Sequence, residues 1–214
     1  MADDINTMKT GTTTLAIKCK DGVVLAADKR ATAGHFIANK WVDKIFPIGD
    51  NMALTTAGTV SDVQLLVKLV KAELRLKNLR TGARISVKEA ANLLAGMVYS
   101  NIRKPSMIPG ISHFLFAGKD WTGYHIFDIY PDGSLSEAED YLSSGSGSVF
   151  AYGVLETLYT ENLSMDETKD LALKSVNAAL QRDSASGNGV DLVTITEAGV
   201  KKVLTKKIDT GIKV

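Results

Sequence analysis

Apolar residues in this chain change their period in blocks: two, then 3.6, then two, then 3.6, then two. Val63, Leu66, Val67, Val70 and Leu74 recur at i, i+3, i+4, i+7 and i+11, which predicts a helix directly after a strand ending at Gly58. Ser86 and Glu89 form a capping box, opening a second helix that turns Ala90, Leu93, Leu94, Met97 and Val98 inward. A third helix follows the glycine–serine run 143–148, with Val154, Leu155 and Leu158 on one side. Ser164 and Glu167 open a fourth, running through Leu171, Leu173, Val176 and Leu180 to about Arg182. Around these helix pairs the chain reads as extended. Segments 12–19 and 23–28 flank an Asp21-Gly22 hairpin turn, and 35–38 and 41–48 turn near Asn39-Lys40. Segment 52–57 precedes the first helix, and 112–118, 124–130 and 135–142 lie between the helix pairs. Segments 190–196 and 200–204 close the chain. Such segregation predicts an α+β fold of antiparallel sheets with helices packed outside, and argues against alternating βαβ units.

The length of 214 residues suits one domain with a sizeable core. A net charge of +1 makes no electrostatic case for nucleic acid or an anionic membrane. Cys19 is the single cysteine, so there is no intrachain disulfide framework, and a reducing compartment is expected. The first residues are polar, carry Asp3 and Asp4 and lack an apolar core, so they do not read as a secretory signal. No stretch is long and apolar enough to cross a bilayer. The expectation is a cytoplasmic protein that needs neither cofactor nor metal, because His35, His113 and His125 have no metal-ligand spacing.

The junction Gly11-Thr12, where a polar leader meets Thr12-Thr13-Thr14, has a chemical reading beside its bland one as the start of a threonine-rich strand. A threonine hydroxyl is a weak nucleophile without an adjacent base. Cutting the chain before Thr12 would create an α-amine beside that hydroxyl, with a pKa of about 7.7–8.0 and able to take its proton. The hairpin register brings Arg30 and Ala31 opposite Thr12, with Asp28 one or two residues away. Gly58, at a strand-to-helix junction, is either a turn glycine or an oxyanion donor. Lys44 is either a solvated strand residue or a cation aimed at Thr12. The run Gly145-Ser146-Gly147-Ser148 lacks the third glycine of a dinucleotide-binding turn, since Phe150 stands there, and no βαβ unit surrounds it.

Taken together, the Gly-Thr-Thr-Thr start, Asp28-Lys29-Arg30, Lys44, the segment 56–62, SGSGS at 144–148 and RDSASG at 182–187 resemble the β-type subunit of the 20S proteasome. The resemblance is to the archaeal kind and runs from about Thr10 to Leu204. It implies a four-layer αββα sandwich, the N-terminal nucleophile hydrolase architecture, and a threonine endopeptidase. Residues 1–11 would then be a propeptide removed autocatalytically at Gly11-Thr12, leaving 12–214 as a single domain. Thr12 would be the nucleophile, its amine the base, and Asp28 and Lys44 its tuning pair. Gly58 would stabilise the oxyanion, with Ser146, Asp183 and Ser186 as the supporting network.

The resemblance assigns a substrate pocket to Ala31, Val42, Thr56, Val60 and Gln64, uncharged apart from Lys44 at its floor, and implies cleavage after uncharged residues. Thr56 departs from the larger apolar residue expected there. The resemblance further implies stacked heptameric rings with other β subunits and α-type subunits, an ATP-dependent unfoldase and unfolded polypeptide as substrate. Two other readings stand beside it. One is an unprocessed or inactive structural β-type subunit; the other is the related bacterial two-ring peptidase, which SGSGS and RDSASG fit less well.

Overall fold

The computed structural model describes residues 11–209, so the expected leader, apart from Gly11, lies outside the described residues. Six strands come first: β1 (Thr14–Cys19), β2 (Gly22–Asp28), β3 (Ala31–Ala33), β4 (Phe36–Asn39), β5 (Ile45–Pro47) and β6 (Met52–Gly58). Two helices follow, α1 (Val60–Thr81) and α2 (Val87–Ile102). Then come β7 (Ser112–Asp120), β8 (Gly123–Ile129), β9 (Leu135–Ala138) and β10 (Tyr141–Ser144). The helices α3 (Ser148–Leu158) and α4 (Met165–Arg182) precede β11 (Gly189–Thr196) and β12 (Gly199–Lys207).

Among the described residues the strands form two five-stranded sheets, β10-β1-β2-β11-β12 and β5-β6-β7-β8-β9, with β3-β4 as a small ribbon. Every pairing is antiparallel. Side-chain alternation makes the layers. In β7, Phe114 and Phe116 join Phe127 and Ile129 of β8 against α1 and α2, whereas Leu115 and Ala117 face the other sheet. In β1, Leu15 and Ile17 pack under α3 and α4 while Ala16 faces inward. The result is the four-layer αββα sandwich. The stripe Val63, Leu66, Val67, Val70 and Leu74 is buried on α1, and both capping boxes form. Fully burying side chains such as Phe114, Phe116 and Phe127 contributes roughly 1.5–3 kcal/mol each.

Three local expectations change. The first hairpin turns at Lys20-Asp21, because Cys19 pairs Gly22, and Asp28 N–H bonds the Thr13 carbonyl. Gly22 is a ladder residue whose absent Cβ would sit 2.2 Å from the Ile195 carbonyl oxygen of β11, so a neighbouring strand demands that glycine. β4 pairs with β3, and the 41–48 segment supplies β5 to the other sheet. The extended run 135–142 is two strands: β9 pairs β8, and β10 crosses to pair β1 in the opposite sheet.

Candidate active site

The candidate residues converge where strand ends of the two sheets meet. Thr12 lies two residues before β1 and Asp28 ends β2, in one sheet; Lys44 precedes β5 and Gly58 ends β6, in the other. Lys44 is pinned by its carbonyl, which accepts from Thr56 N–H of β6 at 3.0 Å. Its ammonium reaches across the seam to Asp28 Oδ1 at 2.6 Å and to Thr12 Oγ1 at 3.1 Å. Thr12 Oγ1 in turn donates to the Gly11 carbonyl at 2.6 Å. All three side chains are buried.

A carboxylate as deeply buried as Asp28 is tolerable only when its charge is offset and its lone pairs are filled. Oδ1 accepts from Lys44 and from Thr13 N–H at 2.9 Å; Oδ2 accepts from the backbone N–H groups of Arg30 and Gly187, each at 2.9 Å. Burial pushes the Lys44 pKa below its ordinary 10.5, and the Asp28 charge and hydrogen bond only partly oppose that fall. Lys44 therefore releases its proton more readily than a solvated lysine.

On the other side of Thr12, Ser146 Oγ accepts from Thr12 N–H at 3.2 Å and donates to Asp183 Oδ2 at 2.6 Å. Ser186 Oγ also donates to Asp183 Oδ2, at 2.6 Å, so its 2.6 Å contact with Thr13 Oγ1 has Thr13 as donor. The glycines of SGSGS make room for this packing. A Cβ on Gly145 would lie 2.0 Å from the Thr12 carbonyl oxygen, and one on Gly147 would lie 1.9 Å from Thr13 Oγ1.

A pocket of about 60 Å³ opens beside Thr12. Ala31, Val42, Thr56, Val60 and Gln64 all line it, as do Gly58 and Lys44. A larger groove of about 430 Å³ between α1 and α2, walled by Leu65, Leu69, Leu93 and Met97, lies away from these residues.

Residues 8–195 match the family described as Proteasome subunit. The chain belongs to that family. Similar archaeal proteins include the proteasome β subunit of Ferroglobus placidus, 43% identical over 199 residues, spanning 93% of each chain. Those of Methanocaldococcus vulcanius and Methanothermobacter thermautotrophicus are each 42% identical over 205 residues. They span 95% of this chain and 90% of the relative, and 96% and 95%, respectively.

In this proteasome subunit several site residues escaped the sequence reading. Thr32, Asp43, Phe46, Ala57 and Val63 also line the pocket. Thr32 and Asp43 each adjoin an expected pocket residue, and that adjacency was the available signal. Asp43 corrects the expectation that Lys44 is the pocket's only charge. Its carboxyl is held down at about 2, by the Lys29 hydrogen bond first and against partial burial. Lys29 Nζ lies 3.0 Å from Asp43 and 2.5 Å from buried Asp191; burial lowers its pKa, but the two carboxylates outweigh that and raise it. The observed register, with Thr14 opposite Ala27, runs Thr12 toward Lys29, one residue short of the expected Arg30. The Arg30 guanidinium bonds the Ser184 carbonyl and Asn188 Oδ1, each at 2.7 Å, and so ties down the 184–188 loop.

Proposed function

We propose that this chain is a threonine endopeptidase subunit of a 20S-type proteasome core, generated by self-cleavage between Gly11 and Thr12. The observation that carries this reading is the set of contacts on Thr12 Oγ1: the carbonyl of the preceding peptide on one side and the Lys44 nitrogen on the other. In the uncleaved chain Thr12 has an amide nitrogen, which cannot serve as a base. A neutral Lys44 is placed to take the hydroxyl proton, and its lowered pKa makes the neutral form accessible. Oγ1 then bonds the Gly11 carbonyl carbon and the Gly11–Thr12 C–N bond breaks. The proton moves to the departing nitrogen, leaving an ester. Water hydrolyses that ester to a Gly11 carboxylate and a free Thr12. The released α-amine stays beside Ser146 Oγ and becomes the base for attack on other peptides, with Asp28 and Lys44 holding the charge balance. Gly58, in the pocket wall, serves as the oxyanion donor.

Ala31, Val42, Thr56, Val60 and Gln64, joined by Phe46, form the pocket for the residue preceding the scissile bond. As the family implies, the subunit works with other β subunits and α-type subunits in stacked heptameric rings. An ATP-dependent unfoldase feeds them unfolded polypeptide in the cytoplasm. Among the described residues no helix is long and apolar enough to cross a membrane.

The test is the intact mass of the chain co-expressed with a matching α-type subunit. Loss of residues 1–11, abolished in Thr12→Ala and lowered by about 10²–10⁴-fold in Lys44→Ala, supports the reading. A retained leader in fully assembled rings overturns it in favour of a structural subunit.

A further inference from the structure

Gly11 is enclosed on the side where a larger residue would carry its side chain. An added Cβ would lie 1.8 Å from the Ala185 methyl carbon, 2.9 Å from the Ala185 α-carbon and 3.1 Å from Ser146 Oγ. A side chain at position 11 therefore needs Gly11 or Ala185 to move. Both are tied to the reaction centre. Gly11 is held by its N–H on Thr32 Oγ1 at 2.9 Å and by its carbonyl on Thr12 Oγ1. Ala185 N–H donates to Asp183 Oδ1 at 3.1 Å, and its neighbours are anchored as well: the Ser184 carbonyl on Arg30, Ser186 on Asp183, and Gly187 N–H on Asp28.

We infer that Ala185 is the specificity-determining residue for leader removal: its methyl group enforces glycine before the cut and so fixes which bond breaks. Three successive threonines make that choice consequential. A chain slipped by one residue would offer the Thr13 hydroxyl to the Thr12 carbonyl, but would have to seat a β-branched residue against Ala185. The methyl rejects that register, and only Gly11-Thr12 fits. Ala185 acts here by steric exclusion and takes no part in proton transfer.

This inference rests on the self-cleavage reading, and the experiment separates the two. The full chain is assembled with its α-type partner in four forms: unmodified, Gly11→Ala, Ala185→Gly, and both changes together. The rate of leader removal is followed by intact mass, and ring formation by native mass. A displacement of about 1 Å costs on the order of 10²-fold, so Gly11→Ala is expected to slow cleavage by about that factor. Adding Ala185→Gly is expected to recover at least about tenfold. Recovery stays incomplete because the backbone α-carbon at position 185, 2.9 Å from the added methyl, is still there. Any general weakening caused by Ala185→Gly shows in its single form and cancels from the cycle. Recovery confined to the doubly changed chain supports the inference. Gly11→Ala cleaving at the unmodified rate, or no gain in the double form, overturns it while leaving self-cleavage standing. Failure of the unmodified chain to lose its leader defeats the self-cleavage reading itself.

Discussion

In the proposed reaction Lys44 meets two opposed demands: it must balance the charge of Asp28, and it must let go of a proton beside Thr12. Burial beside a carboxylate serves both, since desolvation lowers its pKa below 10.5 while the ion pair limits the fall. Between that lowered value and 10.5 the unfolded chain binds more protons than the folded one, so this residue's contribution to stability rises with pH over that window. If neutral Lys44 is the base for leader removal, the single-turnover rate must climb with pH and level off below 10.5. A rate that stays flat from neutral to mildly alkaline pH would remove Lys44 from that role. In the sequence, Lys44 could be singled out only through its resemblance to a family, because the two atoms it contacts are 16 and 32 residues away. For Asp43 and Thr32 the sequence offers only adjacency to Val42 and Ala31, because tertiary folding is what places them on the pocket wall.

Elements with local causes were readable from the chain. The capping boxes at Ser86 and Ser164 need only residues three apart, and both form as expected. Ser86→Ala and Ser164→Ala should each cost roughly 1 kcal/mol, read as a lowered unfolding midpoint in thermal or urea denaturation. Loss of peptidase activity without loss of stability would show that these caps act on something other than helix ends. Strand boundaries set by distant partners were not readable. Glu139-Asp140 carries no glycine or proline, yet the chain leaves one sheet there and enters the other. Gly22 looked like a turn residue because Asp-Gly so often is one, while its actual constraint comes from the distant Ile195 carbonyl of β11.

At the scale of the whole molecule, the site depends on how closely the two sheets approach. The layer between them sets the alanines Ala16, Ala27, Ala53 and Ala117 among Val, Leu and Ile side chains, whereas the phenylalanines lie under α1 and α2. Ala53→Leu should therefore overpack the seam, costing about 1–3 kcal/mol. It should also slow leader removal by up to about 10²-fold, by moving β6 and Lys44 relative to Thr12. Comparing unfolding midpoints with cleavage rates tests this, and a stability loss with an unchanged rate would show that the seam does not set the geometry. The contact between Thr12 and the Gly11 carbonyl lies within one polypeptide, as do the contacts of Lys44 and Asp28. Hydroxyl, carbonyl and proposed base thus meet at a fixed local concentration that dilution cannot change. Once rings have formed, the maturation half-time should be the same in a crowded cell and in a dilute cuvette, and any dependence on protein concentration must belong to assembly.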